Sequence, residues 1–505
     1  MENILERFPF VAKSIFSKLD NTSLVQAKEV CRTWRNSITS KKFSWIRIIQ
    51  TLIDDHQEIT STRWQSVLLK TSVETVKELS IAVYQFYQFD KTRYKKKWSP
   101  LHITVERDSL SLSQHVLKKV DEMDHKNSDG ITPLHFAASN GNLELFKLIF
   151  AGSKEKNPRD IVGITPHYSA ALKGHLEICR FIIKNVEEKN PATRDGYTPL
   201  YLAACNGHLE ICNLIIDSVD DKNPATNNGA TPLYIAATKG HLEICGLIIK
   251  SVNAKNPARY DGVTPLYVAA CNGHLEICRL IIESVHDKNP ARNDGYTPLY
   301  AAACNGHIEI CKLIIDIVND KNPATNNGAT PLYIAAANGH LEICKLIMKS
   351  VDAKNPARND GVTPLYVAAS NGHLEICKLI IESVGDENPA RKDGYTPLHV
   401  AASNGHLDIC NLLIGSMDDK NPTANNGVAP LFLAAKNGHL EICKLIIENL
   451  DDKSPPIDER FIPLCIAAQN GHLEICKLLM NMTVKQIFTN TDVRNRLIRY
   501  IRQKQ

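Results

Sequence analysis

The chain has 505 residues, 43% of them hydrophobic, and a formal net charge of +4 at pH 7. It shows no signal-peptide pattern and no apolar run approaching 18 residues, which argues against a secreted or membrane-spanning protein. We therefore expect a soluble chain that works in the cytoplasm without membrane contact, with the nucleus as an open alternative.

Apolar residues recur at helical spacing in three short stretches of residues 1–48. About 45 residues are too few for a stable core, so this segment is expected to pack against something else. The order Phe8-Pro9, IFSKL at 15–19, Ser23-Leu24, VCRTWR at 30–35 and Trp45 resembles the F-box. Two details depart from that family: Phe8 replaces the usual Leu, and the acidic residue that commonly follows Leu-Pro is missing.

The F-box resemblance implies a partner protein. F-box helices dock on the Skp-type adaptor of a cullin–RING ubiquitin ligase, while the rest of such a chain holds the substrate. Carried over by position, the adaptor contacts would be Phe8, Pro9, Ile15, Phe16, Leu19, Leu24, Val30, Cys31 and Trp34. The alternative is a small helical cap that only closes the first repeat of the region that follows.

Residues 49–98 are predicted to form a helical linker, because apolar residues stand at helical spacing between Trp64 and Phe86. The basic stretch RYKKKW at 93–98 could be a nuclear-import signal. We interpret it as a solvated part of the linker, since it is short and contains an aromatic residue.

From residue 99 the chain repeats itself every 33 residues. A Ser-Pro or Thr-Pro pair recurs from Ser99-Pro100 to Thr396-Pro397, and Ala429-Pro430 and Ile462-Pro463 keep the register. Twelve such units predict a solenoid, in which each repeat buries its apolar faces against its neighbours. Surfaces of this kind bind other molecules and seldom catalyse reactions.

The unit that starts at Thr198 shows how each repeat is expected to fold. Thr198 can cap a first helix that begins at the following proline, Asn206-Gly207 ends this helix, and a second one starts near His208. Asn223-Pro224 favours extended backbone, and Asn-Asn-Gly at 227–229 favours a tight turn. The pattern TPLYLAACNGHLEI closely resembles the ankyrin repeat.

The ankyrin resemblance covers residues 99–480 and has two departures. The usual His after Thr-Pro-Leu is replaced at Tyr201, Tyr234, Tyr267, Tyr300, Tyr333 and Tyr366. The Gly that normally ends the second helix is Val219 or its equivalent in other units. Because a β-branched residue is unsuited to a left-handed cap, we predict second helices slightly longer than is usual in the family, ending before Asn-Pro.

Ankyrin proteins bind mainly through their turn tips and the inner face of their first helices, so the resemblance implies where a target protein would lie. Tyr and Arg dominate binding energy at protein interfaces. The candidate target contacts are Arg194, Tyr197, Arg259, Tyr260, Arg292, Tyr296, Arg358, Arg391 and Tyr395. Residues 99–480 carry 36 basic and 44 acidic side chains, so we expect no nucleic-acid partner.

Cysteine and histidine recur without predicting a metal site, a cofactor or a catalytic centre. Ten of the fifteen cysteines share one repeat position, from Cys179 to Cys476, and stacked repeats hold equivalent residues too far apart for a disulfide. His-x-x-x-Cys offers two ligands per repeat, whereas a structural zinc site needs four. Cys31 lies on an apolar face of the F-box pattern, where a thiol is unsuited to thioester chemistry. We therefore predict that the chain is not an enzyme.

The predicted fold is all-α, with an F-box-like segment of three helices, the linker and twelve ankyrin repeats with short β-turn or hairpin fingers. Residues 481–505 carry six basic residues and one acidic residue. The apolar residues Val493, Leu497, Ile498 and Ile501 in this segment predict an amphipathic helix that caps the array.

The predicted function is substrate reception. The F-box would join a Skp–cullin–F-box ubiquitin ligase through the adaptor and cullin, and the repeats would hold a target protein, with the chain monomeric within the complex. Two alternatives stay open: an ankyrin scaffold without a ligase link, and an effector of an intracellular pathogen or virus with the same architecture.

Overall fold

The computed structural model describes residues 98–119, 123–384, 388–450 and 457–489. The F-box-like segment, the linker up to residue 97 and residues 490–505 lie outside these described residues, as do all nine predicted adaptor contacts. The chain divides into two compact units, Met1–Ala254 and Lys255–Gln505.

The described residues form 24 α-helices, two for each repeat, and no β-strand. In the first unit these are α1 (Pro100–Glu106), α2 (Leu110–Leu117), α3 (Pro133–Asn140), α4 (Leu143–Gly152), α5 (Pro166–Lys173), α6 (Leu176–Asn185), α7 (Pro199–Cys205), α8 (Leu209–Ile216), α9 (Pro232–Lys239) and α10 (Leu242–Ser251). In the second unit they are α11 (Pro265–Cys271), α12 (Leu275–Ser284), α13 (Pro298–Cys304), α14 (Ile308–Ile315), α15 (Pro331–Ala337), α16 (Leu341–Ser350), α17 (Pro364–Asn371), α18 (Leu374–Ile381), α19 (Pro397–Asn404), α20 (Leu407–Ser416), α21 (Pro430–Asn437), α22 (Leu440–Glu448), α23 (Ile457–Gln469) and α24 (Leu473–Thr489). The all-α prediction is confirmed. None of these helices is both long and apolar enough to cross a membrane.

The first helix of a repeat begins where its sequence predicts. The Thr198 hydroxyl accepts a hydrogen bond from the Tyr201 N–H at 3.2 Å, and proline occupies the first helical position, where no amide proton is needed. The Asn of Asn-Pro adds a second anchor, since Asn223 Oδ1 accepts from the Leu233 N–H at 2.9 Å. The last repeat differs, because Ile462 has no side-chain oxygen for a cap and Pro463 lies inside α23.

Within each unit, first helices pack on first helices and second helices on second helices. Small residues make the contact between the two layers close, and Ala203 and Ala204 are fully buried. The second helix contributes the larger side chains, with Ile211, Cys212 and Ile215 buried. This arrangement gives each unit a continuous core between the layers.

The valine that replaces the usual glycine changes the end of the second helix. Val252, Val285 and Val351 are extended, with φ between −130° and −124°, and none is left-handed. In each of these repeats the helix stops at the residue before the valine. The second helices therefore end before Asn-Pro without a left-handed cap, as predicted, and the valine leaves the helix by adopting extended backbone, which suits a β-branched side chain. That these helices are longer than is usual in the family stays a prediction.

Candidate target-binding surface

The turns between repeats, which we call fingers, are held together by backbone hydrogen bonds. In one finger the Thr193 N–H donates to the Tyr197 carbonyl at 2.8 Å. Successive fingers are joined, because the Arg194 N–H donates to the Val162 carbonyl at 2.9 Å and the Asn227 N–H to the Asp195 carbonyl at 3.0 Å. The tips within a unit are therefore pre-formed, which lowers the entropy cost of binding a partner.

Gly196 shows how closely neighbouring fingers approach. Its φ is +85°, and a Cβ atom on it would lie 2.8 Å from the Asn227 backbone nitrogen. Both the left-handed backbone and the lack of space require glycine at this position. The Asp-Gly and Asn-Gly pairs seen in the sequence thus serve the contact between fingers as well as the turn itself.

Three of the predicted target-binding arginines, Arg292, Arg358 and Arg391, each bind a tyrosine hydroxyl and an aspartate inside the protein. The Arg292 guanidinium lies 5.2 Å from the centre of the Tyr267 ring and donates to the Tyr267 hydroxyl at 3.4 Å. It also pairs with Asp294 at 3.0 Å. Each Tyr–Arg–Asp cluster of this kind ties a first helix to the finger that follows it.

The other two clusters have the same geometry. Arg358 donates to the Tyr333 hydroxyl at 3.0 Å, and Arg391 donates to that of Tyr366 at 3.1 Å. Burial raises the pKa of the Tyr366 hydroxyl, and the hydrogen bond from Arg391 opposes this effect. At neutral pH the cluster of Tyr366 and Arg391 therefore contains a neutral phenol and a guanidinium cation.

The remaining predicted contacts differ in how far they reach into solvent. Tyr260 has 76% of its surface exposed, and Arg194 is also exposed. Arg259 is half-buried and pairs with Asp261 at 3.4 Å. Three tyrosines are half-buried against first-helix side chains, with ring centres 5.0 Å apart for Tyr197 and Tyr201, 4.6 Å for Tyr296 and Tyr300, and 5.1 Å for Tyr395 and His399.

Sequence reasoning missed one apolar pair at a finger tip. Ile161 is 50% exposed and Val162 is 45% exposed, whereas the equivalent finger residues Asn227 and Asn228 are polar. An alignment of the repeats with one another would have revealed this difference. The described tips with the most exposed apolar or aromatic surface are thus the finger of Ile161 and Val162 and the finger of Tyr260.

Histidine replaces tyrosine in three of the first helices and forms a different connection. The Thr132 N–H donates to His135 Nδ1 at 3.1 Å, so Nε2 carries the proton and donates to the Ile164 carbonyl of the next finger at 3.0 Å. His102 and His399 make the corresponding bonds, to the carbonyls of Ile131 and Val428.

From α6 onwards, each second helix is preceded by a histidine, and these histidines bind backbone as well. His340 Nε2 donates to the Cys304 carbonyl of the preceding repeat at 3.1 Å. The cysteine four residues later, Cys344, is buried, and burial raises the pKa of its thiol to about 12. The pair therefore has a structural role here, and no cluster of three or more metal-binding side chains occurs in the described part of the chain.

Comparison with known families gives two matches. The family model for ankyrin repeats (3 copies) matches residues 66–160, 144–225, 217–290, 281–357, 349–426 and 409–491. The model for the F-box domain matches residues 2–46. A search of curated proteins found no match. Both matched domains are non-catalytic protein-interaction modules.

Proposed function

The chain belongs to the ankyrin-repeat family and carries an F-box domain at residues 2–46, and from this premise we propose that it is the substrate receptor of a Skp–cullin–F-box ubiquitin ligase. The F-box binds the Skp-type adaptor, the adaptor brings the cullin, and the repeats hold a target protein. The chain supplies proximity between the target's lysines and the conjugating enzyme. The proposal places this assembly in the cytoplasm.

The observation that carries the proposal is the combination of the two modules on one chain. A segment of about 45 residues is too short to build a stable core alone, which supports its docking on a partner. The described repeats supply a rigid surface of the kind that binds protein, with fingers joined by backbone hydrogen bonds. Neither module needs a cofactor for this role.

Within the repeats, the geometry favours some of the predicted target contacts over others. Tyr260 extends into solvent, so it can bury its ring in a pocket of the target. Arg292, Arg358 and Arg391 already bind tyrosine and aspartate, and a target would have to compete with those partners. In this proposal Tyr260 in the second unit and the finger of Ile161 and Val162 in the first unit are each available for direct contact with a target, while the three arginines hold their fingers in place.

The experiment that tests the ligase link uses the full-length chain and a purified Skp-type adaptor. Ile15 and Leu19 belong to the apolar pattern of the F-box. We expect the double substitution Ile15→Asp, Leu19→Asp to weaken adaptor binding at least tenfold, because charge in an apolar interface costs several kcal/mol. Lys18→Asp is the matched control, since Lys18 lies between these residues but is not part of the apolar pattern, and it should keep most of the binding. Affinities are measured by isothermal titration calorimetry.

Two outcomes would contradict the proposal. One is the absence of adaptor binding by a wild-type chain whose circular dichroism shows the expected helix content. The other is equal binding by the wild type and the double variant. Either result would favour the ankyrin scaffold without a ligase link, in which residues 1–48 only cap the array.

A further inference from the structure

An open groove of about 620 Å³ crosses three consecutive second helices of the first unit, α6, α8 and α10. Its lining includes four leucines, Leu176, Leu209, Leu214 and Leu247, and one cation, Arg180, which pairs with Glu177 of the same helix at 3.4 Å. Leu209 is 39% exposed, and the other three are partly exposed. The groove lies on the layer of second helices, so it is separate from the fingers and the first helices of the proposed target surface.

The second helices near this groove lack a feature that most others have. In eight second helices of the described chain, a glutamate pairs with the lysine or arginine three residues later. In α8 and α10 the position of the cation is occupied by Asn213 and Gly246. Glu210 and Glu243 therefore lack the lysine or arginine, three residues later, that pairs with the equivalent glutamate in those eight helices.

The missing cations change both the charge and the shape of this face. Long lysine and arginine side chains usually cover neighbouring apolar surface with their methylene groups. Asn213 is short and donates a hydrogen bond to Asp217 at 3.2 Å, while Gly246 has no side chain. The leucines are thus left accessible, and the carboxylates of Glu210 and Asp217 lie along the same groove.

The lining thus combines leucines with two carboxylates, Glu210 and Asp217, while its one cation, Arg180, already pairs with Glu177. Leucines beside an excess of negative charge are complementary to a helix with one apolar face and one cationic face. We propose that this groove binds a cationic amphipathic helix of a partner protein. Its leucine-like side chains would contact Leu209, Leu214 and Leu247, and its lysine or arginine side chains would pair with the carboxylates. Three packed helices span roughly 20 Å, which corresponds to about 13 residues of a bound helix.

A comparison within the chain supports this assignment. The helix α20 also has asparagine in place of the cation, at Asn411, three residues after Asp408. Its neighbours α18 and α22 keep their ion pairs, Lys378 with Glu375 and Lys444 with Glu441. The combination of two adjacent helices without the cation and an open apolar groove therefore distinguishes α8 and α10 from α20.

The test measures binding of a synthetic helical peptide to the full-length chain by fluorescence anisotropy. The probe is a 14-residue peptide with leucines on one face and lysines on the other, a length of about 21 Å when helical. Asn213→Lys, Gly246→Lys is the test variant, and Asn411→Lys is the matched control. Lysine has a higher helix propensity than asparagine or glycine, so all these variants should stay folded.

We expect micromolar binding by the wild type, the same binding by the Asn411→Lys control, and at least tenfold weaker binding by the test variant. Replacing the lysines of the peptide with glutamates should abolish binding. Equal affinity of the test variant and the wild type would overturn the proposal, as would binding of the glutamate peptide or no binding of the lysine peptide at about 100 µM. These results do not depend on the adaptor, so they are independent of the ligase proposal.

Discussion

The early repeats of the first unit and the central repeats of the second unit connect each first helix to the next finger by different chemistry. In the first unit, the imidazole of His135 donates to the Ile164 backbone carbonyl. In the second unit, the phenol of Tyr333 meets the guanidinium of Arg358, which also pairs with Asp360. The backbone fold is the same in both regions, so the residue that follows Thr-Pro-Leu can connect to the next finger through either an imidazole or a phenol.

The two kinds of connection differ in how they respond to pH. The imidazole accepts at Nδ1 and donates from Nε2, which only the neutral ring can do. The guanidinium keeps its proton at any pH near neutrality, and burial raises the pKa of the Tyr267 phenol. The comparison therefore predicts an acid-sensitive region and an acid-insensitive region within one array.

The largest effect is expected from mild acid. Burial lowers the pKa of His102 to about 3 and that of His167 to about 4, both from an ordinary value of 6.5. Because the folded-state pKa is lowered, the neutral imidazole contributes its full stability above pH 6.5, the pKa of the unfolded state. This contribution is lost as the pH falls from 6.5 towards the folded-state pKa. Lowering the pH from 7 to 5 should therefore reduce the local stability by about 2 kcal/mol for each of these histidines.

Hydrogen exchange measured at pH 7 and pH 5, and corrected for intrinsic rates, checks this expectation. The free energy of opening should fall in residues 98–173 and change little in residues 264–394. Histidines at the start of second helices, such as His274 and His307, occur in residues 264–394 but not in residues 98–173, so they cannot cause the fall expected in the first region. An equal fall in both regions would show that the difference in connections is irrelevant to acid sensitivity.

His167 is expected to give the next largest effect. It is fully buried at the position occupied by Leu134 and Leu200 in neighbouring repeats. Its ring nitrogens make no hydrogen bond of ordinary geometry, and only the backbone of Lys189 opposes the effect of burial on its pKa. His167→Leu should raise the free energy of unfolding at pH 7 by roughly 1 to 3 kcal/mol, because an unsatisfied polar ring leaves the core without a large change in volume. It should also remove part of the acid sensitivity of the first unit. Urea unfolding at pH 7 and pH 5 measures both effects.

The reverse substitution in the second unit, Leu266→His, is the matched control. Leu266 is fully buried at the equivalent position. It should lower stability at pH 7 and introduce acid sensitivity where none is expected. A destabilised His167→Leu variant would mean that the imidazole contributes a favourable contact in its native place.

The smallest effect is expected from the arginine cluster. Arg292→Met keeps the aliphatic part of the side chain but removes the hydrogen bond and the cation–π contact with Tyr267. We expect a loss of about 1 kcal/mol, and a double-mutant cycle with Tyr267→Phe isolates the share of the hydrogen bond. Arg194→Met, at an exposed tip, should have almost no effect on stability. A loss of equal size at both positions would argue against the internal role of Arg292.

The repeat architecture could be predicted from the sequence because its determinants are local. Thr198 caps a helix three residues away, and Asn223 reaches only ten residues along the chain. The pairing of Tyr267 with Arg292 could not be predicted so readily, since it depends on how one repeat packs on the next. A sequence signal did exist, because an arginine stands 25 residues after Tyr267, Tyr333 and Tyr366. The same position after Tyr300 is Thr325, so the pairing varies between repeats.

Other features required the coordinates for physical reasons. The groove depends on the side chains of three neighbouring helices, such as Leu176, Leu209 and Leu247, so a change in one repeat is uninformative alone. The burial of His167 follows from its register, but its lack of a hydrogen bond of ordinary geometry does not. The extended valines show that a residue unsuited to a left-handed helix end can end the helix in extended backbone instead. The low propensity of valine for the left-handed region did not by itself predict this ending at Val252.

The column of buried cysteines gives the array a set of natural reporters. One buried thiol lies in each of ten successive repeats, from Cys179 to Cys476. A thiol reagent can modify such a side chain only when the surrounding repeat opens, so the order in which the cysteines react records the order in which the repeats open. Mass spectrometry of the modified peptides would therefore follow unfolding along the chain, repeat by repeat, without the introduction of any label.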